Sequence, residues 1–232
     1  LAFDDLTALT FSPGTLDGNT TYFWKIIARD EHDAVTEGPV WQFTTDPVTG
    51  QVLFSDTFDG GLSQWSDTIG SWSIQNGELN GHGAGGQTDG WIYAGNTNWT
   101  NYALEAKVIF VDYNAELVVR STGHWQNEYR ITIWENRAGY FYQNMYQITK
   151  YQNGEYDSLT QGNMPSPVTI TNPCTVRVEA VGGTLKLYIN NQYVNTIVDA
   201  NPLTSGRVGL GVIWDYYNKF DNVVVTALSE SQ

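Results

Sequence analysis

Apolar and polar residues alternate in short runs along this chain, and almost nothing repeats at helical spacing. Residues 104–110, 115–120, 129–134 and 185–189 each alternate, and clusters of Gly, Asn and Pro separate them. A period of two bounded by turn formers describes antiparallel strands with one side on a core, so the chain reads as an all-β sandwich. Asn190 and Asn191 stand between two such runs and tolerate the positive φ that a tight hairpin turn needs. The stretch 81–90 is too rich in glycine for a strand interior and reads as a loop.

With 232 residues there is room for one large sandwich and a smaller unit. Twenty-five Asp and Glu against eleven Lys and Arg give a net charge of -14, which repels nucleic-acid phosphates and anionic membrane surfaces. Neither is an expected partner, and no run is long enough to span a membrane. Only 16% of residues are charged, so the polar surface comes from Asn, Gln, Ser, Thr and Gly, which suits neutral hydroxyl-rich ligands and an extracellular or cell-surface location. Aromatic residues reach 14%, more than two cores of this size need, so some are expected on the surface. The lone Cys174 precludes an internal disulfide and reads as a small core residue. The chain begins at Leu1 rather than Met, as a processed product or part of a longer protein would.

A change of character near residues 44–50, where a strand gives way to Pro47 and Gly50, divides the chain into a unit at 1–46, a linker at 47–53, a large domain at 54–228 and a tail at 229–232. In the first unit Leu16 and Tyr22 lie six apart, followed by an alternating run and by Val40-Trp-Gln-Phe-Thr-Thr45. This pattern resembles the tyrosine corner and last strands of a fibronectin type III domain. The resemblance implies a Tyr22 hydroxyl bonded to upstream backbone, and only the C-terminal half of such a sandwich. Half a sandwich leaves an edge and an apolar side open, so Phe23, Trp24, Ile26 and Trp41 are expected to seek cover, from strands elsewhere in a longer chain or from another copy of the chain.

In the large domain, Phe54-Ser-Asp-Thr-Phe-Asp59 with Trp65 and Trp72, and Gly206-Arg-Val-Gly-Leu-Gly-Val212 with Phe220-Asp-Asn-Val-Val-Val225, look like the first and last strands of a concanavalin A-like jelly roll. The segments 115–120, 127–133 and 183–193 extend the likeness to laminin G-like carbohydrate-binding relatives, including the levan-binding type of module and the 3-keto-disaccharide hydrolase type. The resemblance implies a secreted protein that handles glycans. It also implies a structural Ca²⁺ where first and last strands meet, with Asp56 and Asp221 as its side-chain ligands.

Alternation places Glu116, Val118 and Arg120 opposite Leu117 and Val119, and Arg130, Thr132 and Trp134 opposite Tyr129, Ile131 and Ile133. With Glu105 and Lys107 these suggest one sheet presenting Glu, Lys, Arg, Thr and Trp, although cross-strand ion pairs on a solvated surface would look the same. The loops carrying His124, Trp125 and Glu128, and Trp214, Asp215, Tyr216 and Tyr217, set large aromatics beside hydrogen-bonding groups. Expected ligand-binding residues are Arg120, Trp125, Tyr129, Trp134, Trp214, Asp215, Tyr216 and Tyr217, against the alternative that Trp214 fills the core and Tyr216 and Tyr217 cover its end. No catalytic residue is assigned. Glu155 and Asp157 begin a three-acid strand of the laminarinase type, but Thr160 stands where the third acid belongs. His32, His82 and His124 lack zinc-like spacing. The leading expectation is a non-catalytic glycan-binding module that targets extracellular polysaccharide. The alternatives are a structural or adhesive filament or surface-layer subunit that assembles by strand complementation through 1–46, and a glycoside hydrolase.

Overall fold

A computed structural model describes residues 10, 11, 13, 16–18, 20–45, 48–86, 88–169 and 171–229. Two compact units form, Leu1–Val48 and Thr49–Gln232.

In the first unit β1 (Thr21–Trp24), β2 (Ile27–Arg29), β3 (Val35–Glu37) and β4 (Trp41–Thr44) make two antiparallel ribbons, β1 with β4 and β2 with β3. The turn between β2 and β3 forms because the Asp30 carboxylate accepts from the backbone N–H of His32 and of Ala34, both at 2.9 Å. The Tyr22 hydroxyl accepts from Asp17 N–H at 2.9 Å, the upstream backbone bond the sequence suggested. Register sets Tyr22 against Phe43 and Trp24 against Trp41, with ring centroids 5.7 and 4.7 Å apart.

The second unit is built from β5 (Val52–Asp56), β6 (Trp65–Ile69), β7 (Ser71–Gln75), β8 (Glu78–His82), β9 (Gly90–Ala94), β10 (Tyr102–Phe110), β11 (Asn114–Gly123) and β12 (Asn127–Trp134). It continues through β13 (Met145–Gln152), β14 (Glu155–Asn163), β15 (Cys174–Val181), β16 (Thr184–Ile189), β17 (Gln192–Val198), β18 (Arg207–Val212) and β19 (Tyr217–Ala227). One sheet runs β17-β16-β15-β10-β19-β8-β7 with β5 also on β19; the other runs β14-β13-β12-β11-β18-β9-β6. Every pairing is antiparallel, giving a jelly-roll sandwich. Asn190 and Asn191 turn the β16–β17 hairpin with φ of 51° and 62°.

Between the sheets lie Leu104, Ala106, Val108 and Phe110 from β10, Ala115, Leu117 and Val119 from β11, and Tyr129, Ile131 and Ile133 from β12, all buried. Removing such side chains from water, at about 25 cal/mol per Å², is what holds the layers together. Cys174 is buried in this core, where burial pushes its thiol up to about 12, so it stays protonated and inert.

The surface expected of one sheet is divided between two. Glu105 and Lys107 belong to the first sheet, where Lys107 pairs with Asp221 at 3.2 Å, Arg177 with Glu179 at 3.1 Å and Lys219 with Glu78 at 3.0 Å. These half-exposed pairs make an ordinary solvated surface. Glu116, Arg130, Thr132 and Trp134 lie on the outer side of the second sheet.

Candidate functional site

Register across the second sheet lines up two rows on its outer side. Trp91, Gly211, Glu116, Thr132 and Gln147 stand abreast, and beside them Tyr93, Gly209, Val118, Arg130 and Thr149. The glycines are required: a Cβ on Gly211 would overlap the Trp91 ring, and one on Gly209 the Tyr93 ring. With neither present, both rings lie over β18 and pack with Val118 and Ile69 as an apolar floor.

Arg130 is the centre of the site. Its guanidinium carbon is 4.0 Å from the Trp91 ring centroid, 4.4 Å from that of Tyr151 and 4.8 Å from that of Trp125. The indole of Trp91 is fully buried, whereas Trp125 is 44% exposed on its loop. The Arg130 Nε donates to Glu128 Oε1 at 2.7 Å and its Nη2 donates to the same oxygen. The other Glu128 oxygen accepts from the Ser121 hydroxyl and the Tyr93 hydroxyl, each at 3.0 Å. Glu128 Oε1 also accepts from Trp125 N–H at 3.3 Å, so one buried carboxylate fixes both the cation and the loop that presents the exposed indole. Such a pair survives burial because the carboxylate's hydrogen-bonding capacity is so fully used.

Burial pushes the Glu116 carboxyl up to about 7, against the opposing pull of Arg130 and of its Thr132 hydrogen bond. Burial also raises Asp89, whose carboxylate accepts from Trp214 N–H at 2.8 Å and feels Arg130. His124, lowered to about 4 by burial and then by Arg130, is neutral at pH 7 and sits 3.1 Å from the Tyr93 hydroxyl. For Arg130 burial pulls the other way, but Glu116 and Glu128 outweigh it and keep the guanidinium charged. Two buried polar atoms here, Glu116 Oε2 and Trp91 Nε1, have no hydrogen-bond partner among the described residues. A nearly buried cation between aromatic rings and an exposed indole beside it form a surface suited to ring stacking.

Of the expected ligand-binding residues, Trp125 and Trp134 lie on this side of the sheet, Trp134 buried against Tyr142 at 4.9 Å. Trp214 is 53% exposed, so it does not fill the core, and it is linked to Asp89 through its N–H. Asp215 is exposed beside it, and Tyr216 packs edge-on against Tyr113 at 5.8 Å. Tyr217 starts β19, donates from its N–H to Asp112 at 3.1 Å and binds Asn80 through its hydroxyl, so it braces the end of the sandwich. Arg120 and Tyr129 are corrected. A bulge between Val119 and Gly123, with Arg120 at φ 54°, breaks the alternation, and the Arg120 guanidinium donates to the carbonyls of Gly182, Leu203 and Thr100. Tyr129 points into the core, and its hydroxyl donates to Asp199 at 2.7 Å and accepts from Leu203 N–H at 3.0 Å. Neither reaches the exposed surface.

Trp91, Tyr93, Glu128, Tyr151 and Asp89 are not among the residues that the sequence pattern marks as ligand-binding, and Arg130 stands out there only as one of an alternating set. The available signal was Gly209 and Gly211 in β18: alternate glycines in a buried strand announce side chains from a neighbour lying across it.

The first and last strands do run side by side, with Asp56 opposite Val223. The two Asp56 oxygens accept from Phe58 N–H at 2.7 Å and from Trp65 Nε1–H at 2.8 Å, and Asp221 pairs with Lys107. Among the described residues no group of three or more His, Cys, Asp or Glu converges on a metal position.

No curated protein sequence matches the chain. Solved structures share the fold: a carbohydrate-binding module, CBM66, from Bacillus subtilis, is 21% identical with a TM-score of 0.59 over 71% of this chain and 96% of that one. A Bacillus subtilis protein with a galectin-like fold is 14% identical with a TM-score of 0.62 over 79% and 99%. A Bacillus licheniformis β-glucanase is 14% identical with a TM-score of 0.55 over 77% and 99%. The sequence pattern of the 3-keto-alpha-glucoside-1,2-lyase-like domain matches residues 53–226, spanning nearly all of β5 to β19, and the chain belongs to that family.

Proposed function

We propose that the large domain is a non-catalytic carbohydrate-binding module working at the cell surface or outside the cell, with the Arg130 surface as its glycan site. The carrying observation is the Arg130 guanidinium held between the Trp91 and Tyr151 rings beside the exposed Trp125. A sugar ring stacks its CH side on the exposed Trp125, while the nearly buried Arg130 beneath holds that indole and its neighbouring rings in place. The structural likeness to CBM66 supports this reading through the fold. Affinity electrophoresis on gels containing β-glucans, fructans or xylans is expected to show retardation, reduced at least several-fold by Trp125→Ala, since a stacked Trp contributes about 1–3 kcal/mol. Retardation unchanged in that variant overturns the site.

A second reading is favoured by the first unit. Phe23 is 68% exposed, Trp24 47% and Ile26 57%, so the strand-complementing filament or surface-layer role, through residues 1–46, has apolar surface to use. Sedimentation as a monomer at high concentration rejects it. A third reading, catalysis on a glycan, draws on Glu116, whose carboxyl lies near 7 within reach of the charge on Asp89. Turnover of glycosides or 3-keto-glycosides that Glu116→Gln abolishes would establish it.

A further inference from the structure

The β13–β14 hairpin bears a second polar concavity, lined mainly by side chains on the side of its sheet away from Arg130, with Tyr156 from the Arg130 side also lining it. Pairing shifts between Ile148, opposite Thr160, and Thr149, opposite Ser158, so Leu159 is an extra residue in the edge strand. This bulge re-aims the side chains on the neighbouring stretch of β14. Asp157 comes to stand opposite Lys150 and Glu155 opposite Gln152, while Tyr151 and Tyr156 share the opposite side with Arg130.

An open cavity of about 280 Å³ results, lined among others by Lys150, Gln152, Glu155, Asp157 and Asn201. Its floor is preorganised. Lys150 Nζ lies 2.7 Å from Asp199 Oδ2, with side chains 7% and 9% exposed, and the Tyr129 hydroxyl donates to the same oxygen. Asp199 Oδ1 accepts from Asn201 N–H at 2.9 Å, and Asn201 Nδ2 donates to Gln152 Oε1 at 3.1 Å. A buried ion pair adds little stability over apolar packing, so its effect here is to fix where the cavity wall stands. Against that fixed wall the Glu155 and Asp157 carboxylates make no hydrogen bond or ion pair among the described residues.

We propose that this cavity is a second carbohydrate site, separate from the Arg130 surface and independent of its role. Sugar hydroxyls donate to Glu155 and Asp157 and accept from the side-chain amides of Gln152 and Asn201. A metal ion has no use for those amide donors or for the Lys150 ammonium, whereas a hydroxyl both donates and accepts. The volume sits near the lower end of small-ligand sites, which fits one or two sugar rings rather than a long chain.

The test is titration of the ¹⁵N-labelled full chain with glucose, fructose, sucrose, maltose and cellobiose, observed residue by residue by NMR. Saturable shifts are expected at Gln152, Asn153 and Asn201 with at least one of these sugars. Replacing both acids, Glu155→Gln with Asp157→Asn, should weaken them about tenfold, the effect of losing charge-assisted hydrogen bonds. Trp125→Ala should leave them unchanged. Three results each overturn the proposal: no saturable shift at these amides with any sugar, shifts produced by calcium chloride alone, or weakening by Trp125→Ala equal to that of the double variant. The two acids lie on an exposed edge strand, and an otherwise unchanged spectrum confirms that the double variant folds.

Discussion

The Arg130 guanidinium carbon rests 4.0 Å from the centroid of the Trp91 ring, and the same guanidinium is bound by the buried Glu128. Stacking and ion pairing therefore act on one planar group, which a lysine cannot reproduce. Arg130→Met, which leaves Glu128 buried without its counter-charge, is expected to lower unfolding free energy by about 3–5 kcal/mol in urea titrations. Arg130→Lys should destabilise less but still lose glycan retardation. If the lysine variant binds as well as the parent, planarity is not what the site uses.

Glu116 gives a pH dependence whose sign is fixed. In the folded chain its carboxyl holds its proton to about pH 7, while in the unfolded chain it releases it near the ordinary 4.5. Between those values the folded state binds more protons, so this contribution is full below the unfolded value and is lost as pH rises through 7. The difference corresponds to roughly 3 kcal/mol. Glu116→Gln should therefore narrow the gap in melting temperature between pH 5 and pH 8. Equal gaps in the two proteins would show that Glu116 is not held neutral.

Gly211→Ala tests the floor of the site. The new methyl group would occupy the space of the Trp91 ring, and overpacking of this kind costs about 1–3 kcal/mol. Trp91 should move, seen as a shift of its indole N–H signal, with glycan binding weakened alongside. An unmoved indole signal contradicts that packing.

Tyr129→Phe separates a core role from a ligand-binding one. The lost hydroxyl leaves Asp199 and the Leu203 N–H short of a partner in a buried setting, at a cost of about 1–3 kcal/mol. Denaturant midpoints should fall accordingly while gel retardation stays as in the parent. Lost retardation with unchanged stability would return Tyr129 to the Arg130 site.

Strand alternation was legible in the sequence where strands are regular. In β12 the sides come from counting by twos, which placed Arg130, Thr132 and Trp134 together and Tyr129 opposite them. Counting fails at a bulge. Arg120 sits at one, with φ 54°, so its side chain leaves the row that alternation assigned to it. Glu105 and Glu116 read alike because each lies on the side of its strand away from the core, and which sheet a strand joins depends on long-range pairing that a local pattern does not encode. Trp125 and Trp214 were visible as aromatics in polar loops. Trp91 was hidden because a Trp flanked by Gly90 and Ile92 looks like core, and only the glycines of the adjoining strand reveal that its ring lies on the outer side.

The place of β19 bears on how this domain comes into being during synthesis. It lies between β10 and β8 and also pairs with β5, so residues 217–227 join strands made from the start of the domain to its middle. Until those residues leave the ribosome, β5, β8 and β10 lack their shared neighbour and present unpaired edges. Such sequence-distant pairing is slow and exposes the nascent chain to aggregation. Truncation before Tyr217 is thus expected to yield insoluble protein rather than a smaller sandwich, whatever ligands the finished surface binds.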